Sequence, residues 1–372
     1  MMDLLLQGFL EVLSPVTFMY LILGVSMGTI LGAIPGLTAT MAIAIVIPFT
    51  FTMSPVASLL MLVGAYKGGI FGGSIAAILV SAPGTPASAA TSADGYALAR
   101  QGKSEKALKI ALISSVLADL ATDIVLILLS VQLARVALAF GSAEYMLVAV
   151  LGVTVVAAVS GRSLAKGIAA AVLGACFALI GLDPMTGMPR LVFGTIDLYG
   201  GISLVPMLIG LLTLSEILLQ MERQLKFSST SLPKPQNPDD RRITRQDARR
   251  IVKPISVATL IGGVIGIIPG LGPTLGAFLG YDAAWRMSRN KKEFGHGSIE
   301  GVAGAEAGNN AVSGANLIPL LGLGIPGDTM AAILVGGFLI HGLTPGPMIF
   351  QEAPDVVYGL FAGLIVANFA LY

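Results

Sequence analysis

A ten-residue stretch of this chain occurs twice, and nothing else in the sequence restricts the fold as much. Gly28-Thr-Ile-Leu-Gly-Ala-Ile-Pro-Gly-Leu37 returns as Gly262-Gly-Val-Ile-Gly-Ile-Ile-Pro-Gly-Leu271, and each copy runs on to a threonine, Thr40 or Thr274. A second motif follows each first one: Ser81-Ala-Pro-Gly-Thr85, then Gly324-Ile-Pro-Gly-Asp328. The second copy is longer between its motifs, and its polar insert Ser288 to Ser298 can absorb the difference. Both copies, roughly 15–86 and 255–345, are long, apolar and repeatedly broken by proline and glycine.

Such breaks need a particular solvent. Of 372 residues, 55% are hydrophobic and 12% charged, with a mean hydropathy of +0.86; a soluble domain averages about 25% charged. This chain cannot cover itself with polar surface, so lipid suits it better than water. There, 46 glycines and 20 prolines are tolerable, because glycine lets helices approach and breaks can line a cavity. A net charge of +1 gives no reason to expect nucleic acid or another polyanion. The lone Cys176 rules out an internal disulfide and reads as inert packing in an apolar run. His296 and His341 are the only histidines, too few for a zinc-type cluster, and no P-loop occurs, so no enzyme chemistry, cofactor or direct use of ATP is expected. Met1 to Leu13 carries Asp3 and Glu11 and no basic start, which does not fit a cleavable signal peptide. The sequence stops at Tyr372 inside an apolar run that begins near Val356, so further C-terminal sequence is expected.

A spanning helix needs about 20 apolar residues. Clear spans fall near 107–129, 145–160, 164–182 and 201–220. The chain then divides into a first repeat (1–106), intervening spans (107–221), a cytoplasmic linker (222–254), a second repeat (255–352) and the start of another span (353–372). Basic residues mark the cytoplasmic side. None precedes Lys67, whereas Arg241, Arg242, Arg245, Arg249, Arg250 and Lys253 precede the second copy. The middle of the first copy, Thr52 to Pro55, is uncharged; the middle of the second has Arg286, Arg289, Lys291 and Lys292. Arg100, Lys103, Lys106 and Lys109 follow the first copy, and no basic residue follows the second. The preference reverses at each equivalent point, so the repeats should be inverted in the membrane; Arg135 alone sits awkwardly. The fold expected is an all-α polytopic membrane protein of inverted repeats, with re-entrant hairpins and discontinuous helices.

In the second copy the arm from Ile255 to Ile268 is about 21 Å of helix, shorter than the roughly 30 Å hydrocarbon core. It reads as a re-entrant hairpin with Pro269-Gly-Leu-Gly-Pro273 at its tip. Unpaired backbone at such a tip must be buried or meet a polar ligand, and the returning helix offers an anion its positive end and the Thr274 hydroxyl. The Pro-Gly breaks read as helices unwound midway, the way many carriers build a midplane site. Close packing without a ligand is the bland alternative. Glu306, Asn309, Asn310, Ser313 and Asn316 stripe one helix beside a break. Glu306 and Asp328 are the candidates for cation coupling. Lys67, costly in an apolar stretch, is either a partner for a substrate carboxylate or an interfacial, paired lysine. Asp119 and Asp123, four apart in a span, suit a proton or sodium role or structural pairing. His341 reads as structural. A channel-like or purely structural membrane subunit is the competing reading.

At Gly-Ala-Ile-Pro-Gly-Leu37, Tyr66-Lys-Gly-Gly-Ile-Phe-Gly-Gly-Ser74, Pro83-Gly-Thr-Pro-Ala-Ser88, Asp94-Gly-Tyr96 and Leu317-Ile-Pro-Leu-Leu-Gly-Leu-Gly-Ile-Pro-Gly327, the chain resembles the large subunit of the tripartite tricarboxylate transporters, the TctA family, over essentially its whole length. The resemblance implies a multi-pass protein of the bacterial inner membrane, working with a small TctB-type membrane subunit and a periplasmic TctC-type solute-binding protein. It implies uptake of citrate or another small carboxylate, driven by Na⁺ or H⁺, and family members with further spans after this point. An elevator-type movement follows by fold analogy alone. The substrate site expected at the tips and breaks is Gly36, Thr40, Lys67, Ser74, Ser81, Pro83, Gly84, Thr85, Gly270, Thr274, Asn309, Asn310, Asn316, Pro326, Gly327 and Thr329, with a co-bound cation offsetting the charge of the substrate and no dedicated metal cluster.

Overall fold

The computed structural model describes the chain except residues 1, 35–36, 145, 148–149, 151–163, 184–185, 204–205, 208, 216–217, 219–231 and 372. Most of the span expected at 145–160, parts of the one at 201–220, the first ten residues of the linker and the tip Pro35-Gly36 lie outside the described residues. What is described is all-α and polytopic. Among these residues, five helices are long and apolar enough to cross a membrane, and the one strand pair joins Gly181–Leu182 to Pro189–Arg190.

The first copy opens with α1 (Met2–Val12) and α2 (Pro15–Ala33), turns back through α3 (Ala39–Val46), and continues as α4 (Pro55–Val80) and α5 (Ser88–Arg100). α6 (Ser104–Leu138) and α7 (Leu164–Ala178) follow. The second copy is α8 (Arg245–Ile267), α9 (Gly272–Met287), α10 (Ile299–Ala315), α11 (Leu317–Leu323) and α12 (Thr329–Ile340), and after α13 (Ile349–Glu352) the chain closes with α14 (Pro354–Leu371).

Glycine spacing explains how these helices meet. Gly24, Gly28 and Gly32 on α2 abut the carbonyls of Met61, Ala65 and Gly69 on α4, while Gly64, Gly68 and Gly72 face back onto α2. A glycine every fourth residue keeps one face bare, so two backbones can touch along their length. The second copy repeats the device. Gly262 and Gly266 on α8 abut the carbonyls of Gly308 and Val312 on α10, and Gly276 and Gly280 on α9 abut those of Gly308 and Gly304. Gly28 aligns with Gly262, and Gly32 with Gly266; their contact partners, Ala65 with Gly308 and Gly69 with Val312, are displaced by one constant register. Aligned residues therefore make aligned contacts.

α8 and α9 form an antiparallel hairpin, with Gly262 and Gly276 against the same carbonyl. α8 begins at Arg245, inside the stretch read as linker, because Thr244 and Asp247 make a capping box there. The whole rod of 23 residues is about 35 Å long, enough to cross a membrane, so arm length does not argue for re-entry. α6 is built inside out for water. Ser115, Asp119, Thr122 and Asp123 are buried, while Leu117, Ile124 and Leu128 are 50%, 48% and 55% exposed. That pattern suits lipid outside and a polar interior. Cys176, expected to pack inside, is exposed on α7 beside exposed Val172 and Leu173, because this face of α7 has no protein neighbour among the described residues.

Candidate functional site

Each Pro-Gly break closes by the same bonds. α4 ends at Ser81 in left-handed conformation (φ 54°), and α11 ends at Gly324 in the same region (φ 74°). The next amide reaches back six residues in both, Ala82 N to Ala76 O at 3.4 Å and Ile325 N to Pro319 O at 3.2 Å, one residue further than the closure of a Schellman motif. The motif glycine then folds onto its own helix eleven residues upstream: Gly84 on Gly73, and Gly327 on Asn316. The following residue accepts from the amide three further on. Ser88 N donates to Thr85 Oγ1 at 3.2 Å and Ala331 N to Asp328 Oδ1 at 2.7 Å, so Asp328 caps α12.

The hairpin tip of the second copy meets the break of the second copy. Gly270 and Gly272 have φ of 90° and 67°, a turn that a side chain would resist. It lets Gly270 N donate to Gly327 O at 2.7 Å. Asn316, packed on Gly327, donates through Nδ2 to the Tyr66 hydroxyl at 3.0 Å, which ties this break to the middle of α4.

From Tyr66 a buried polar seam runs between the copies. Lys67 Nζ lies 2.5 Å from Asp119 Oδ2 and 2.7 Å from Asp123 Oδ2 on α6. Ser313 Oγ is within reach of Asp119 Oδ1 (2.6 Å) and of the Asn310 carbonyl (2.7 Å), and its one proton serves either. Asn310 Nδ2 donates to Ser115 Oγ at 2.8 Å, and Ser115 donates to Glu306 Oε2 at 2.9 Å. Glu306 Oε1 accepts from Ser74 Oγ at 2.6 Å and from Thr91 Oγ1. At the other end Asn368 Nδ2 of α14 donates to Asp123 Oδ2 at 2.6 Å. Lys67 and the two aspartates sit near the midpoints of α4 and α6, where ionisable groups mark pathways and couplings in membrane proteins.

The residues expected from sequence separate into three sets. Lys67, Ser74, Glu306, Asn310 and Asn316 join the seam. Lys67 is held by two carboxylates of its own chain, and Ser74 by Glu306. Gly84, Thr85, Gly270, Gly327 and Asp328 build the breaks and the tip, with Pro326 part-buried between them. Ser81, Pro83, Thr274 and Thr329 are exposed and Thr40 is part-buried on α3; Thr38 rather than Thr40 caps that helix, accepting from Met41 N at 3.3 Å. Gly36 lies outside the described residues. Asn309 is 1% exposed, yet neither amide atom has a hydrogen-bond partner among the described residues.

The sequence reading missed Thr91, Ser115 and Asn368. Ser115, Asp119 and Asp123 recur every four residues in a span, and Asn368 is the one amide in its apolar run; both were visible signals. Asp94, quoted only as a motif, is fully buried. It accepts from Gly297 N and Ser298 N at 2.9 Å each and from the Tyr281 hydroxyl at 2.9 Å, which pins α5 to the entry of α10.

Residues 18–372 match the family described as the Tripartite tricarboxylate transporter TctA family. Over the whole chain the sequence is 38% identical to an uncharacterised 52.8 kDa protein in the TAR-I ttuC′ 3′ region of Agrobacterium vitis, spanning 74% of it. Over 110 residues it is 43% identical to an uncharacterised protein in the TAR-II ttuC′ 3′ region of the same organism, covering 30% of this chain and 46% of that one. No solved structure matches.

Proposed function

This chain belongs to the tripartite tricarboxylate transporter TctA family, and from that premise we propose that it is the large subunit of a binding-protein-dependent secondary carrier, taking up tricarboxylates or related small carboxylates down a cation gradient. A TctC-type protein delivers the substrate, a TctB-type subunit completes the membrane part, and the site of action is the bacterial inner membrane. The two copies are inverted, and the second moves with its hairpin as a body.

The observation that supports this reading best is the polar seam. A merely structural subunit gains little from burying Lys67, Asp119, Asp123 and Glu306 midway along apolar helices, because each charge must be compensated out of water. Carboxylates of the substrate meet the backbone and hydroxyls of the tips and breaks (Gly36, Thr40, Ser81, Thr85, Gly270, Thr274, Thr329) and the amides of Asn309, Asn310 and Asn316. Asn309 is the strongest of these, since a buried amide without partners carries a desolvation penalty that a ligand would relieve. Glu306 and Asp328 are the acids that the sequence offers as candidates for cation coupling. No covalent step is involved.

The test is uptake of labelled citrate and other carboxylates into proteoliposomes that hold the full-length protein, its small subunit and its binding protein, with Na⁺ and pH gradients imposed separately. Accumulation that requires the binding protein and one gradient is the expected result. Folded components that accumulate no carboxylate under either gradient would turn the reading toward a channel-like or structural subunit.

A further inference from the structure

Around Asp123 the count of charges and donors does not balance. Lys67, Asp119 and Asp123 have side chains 3% exposed or less. No other cationic side chain of the described residues pairs with either carboxylate. With both aspartates ionised the cluster holds one negative charge in excess, away from water, which is strongly unfavourable. The groups facing Asp123 are Lys67 from α4, Asp119 from α6 itself, Asn368 from α14 and the bare Gly314 of α10, with Ser313 beside Asp119.

The shortage of donors is local. Both oxygens of Asp119 are met, Oδ1 by Ser313 and Oδ2 by Lys67. Asp123 Oδ2 takes both Lys67 and Asn368. Asp123 Oδ1 has no partner and lies over Gly314, where an added Cβ would sit 2.8 Å from it. Asn368, fully buried and already bonded to Asp123, has its own Oδ1 unpartnered too. Each member of this hydrogen-bonded pair therefore keeps an acceptor without a donor, in a cluster that lacks one positive charge. A metal cation would find two free oxygens there and an ammonium 2.7 Å from the same carboxylate. A proton supplies the missing donor and the missing charge together.

We propose that Asp123 binds one proton on Oδ1, beside Asn368, and that this proton is the ion coupled to carboxylate uptake. The assignment rests on the proposed transport function. It distinguishes Asp123 from Glu306, whose two oxygens are met by Ser74, Thr91, Ser115 and Asn310 and which keeps its charge throughout. Protonated Asp123 leaves Lys67 to Asp119 alone; release of the proton restores the claim of Asp123 on Lys67.

The experiment uses the full-length protein with its two partners in proteoliposomes, recording labelled carboxylate and internal pH together. In the wild type, carboxylate entry should carry protons inward and a pH gradient should drive accumulation. Asp123→Asn should abolish both while exchange of labelled for unlabelled carboxylate remains measurable. Asp119→Asn removes the neighbouring negative charge that favours the proton, so its uptake profile should move to lower pH by about one unit. It also keeps the shape of the site and lightens the buried charge, which guards against the case in which the Asp123 variant does not fold. Accumulation driven by Na⁺ with no proton movement would overturn the proposal and leave the transport function standing. An Asp123→Asn protein that still accumulates under a pH gradient, or an Asp119→Asn profile that does not move, would overturn it as well. A wild type that accumulates nothing under either gradient would instead remove the function on which it rests.

Discussion

In the first copy, α4 runs unbent through Gly73 to its break at Ser81; in the second, the equivalent rod is split at Asn316. The cause is local, since Pro319 has no amide to donate to the Ala315 carbonyl. On either side of that kink the two copies keep the same backbone devices: a left-handed terminus, a glycine folded back eleven residues, and a side-chain oxygen over the next helix. Their side chains differ almost completely. By the register of the breaks, Lys67 corresponds to Asn310, Gly73 to Asn316, Thr85 to Asp328 and Val63 to Glu306. The first copy supplies the cation of the seam, the second Glu306, Asn310 and Asn316, and α6 between them the two aspartates. The two copies share a scaffold of close glycine contacts and Pro-Gly turns, where an added side chain would meet backbone, and they differ in the polar side chains.

That difference can be broken or sharpened by substitution. The largest effect belongs to Lys67→Met, which strands two buried carboxylates and should cost about 3–5 kcal/mol. Adding Asp119→Asn and Asp123→Asn should return most of the loss, as thermal unfolding in detergent would record. Glu306→Gln comes next. Two of its four hydroxyl and amide donors would face an amide donor instead, at about 2 kcal/mol, and because no cation is stranded the Asp119 and Asp123 changes should not rescue it. Equal treatment of the scaffold should give equal results: Gly28→Ala and Gly262→Ala each press on a backbone carbonyl, at about 1–3 kcal/mol, and a large inequality would mean that the copies are not packed alike. Smaller still are the oxygens over the next helix, where Asp328→Ala and Thr85→Ala should each cost about 1 kcal/mol. Smallest is the left-handed terminus of the first copy, where Ser81→Gly should gain about 0.5 kcal/mol at most, after the added freedom of the unfolded chain is subtracted.

Much of this was legible in the sequence because it is local. The apolar spans and the Pro-Gly motifs are each carried by neighbouring residues, and the all-α polytopic fold follows from them. The start of α8 was misplaced at Ile255 because a basic, polar turn looks like linker until Thr244 and Asp247 are seen to cap it. The seam was only partly legible. Lys67, Asp119, Asp123 and Glu306 stand out as charges in apolar runs, but what each one pairs with is a tertiary fact. Nothing near Ser74 in sequence says that it meets Glu306, 232 residues away. Hydroxyls on apolar helices, such as Thr91 and Ser115, are too common to single out until a carboxylate is found facing them.

The claim that the seam is where transport is coupled, and not merely what holds the copies together, is tested most directly at Asp123. Labelled citrate accumulation should be measured in proteoliposomes of the complete three-component system, wild type beside Asp123→Asn, under the gradient that drives the wild type and with both proteins shown to be folded. The account predicts several-fold accumulation by the wild type and none by the variant. Equal accumulation by both would make the seam a scaffold and place the coupled site elsewhere.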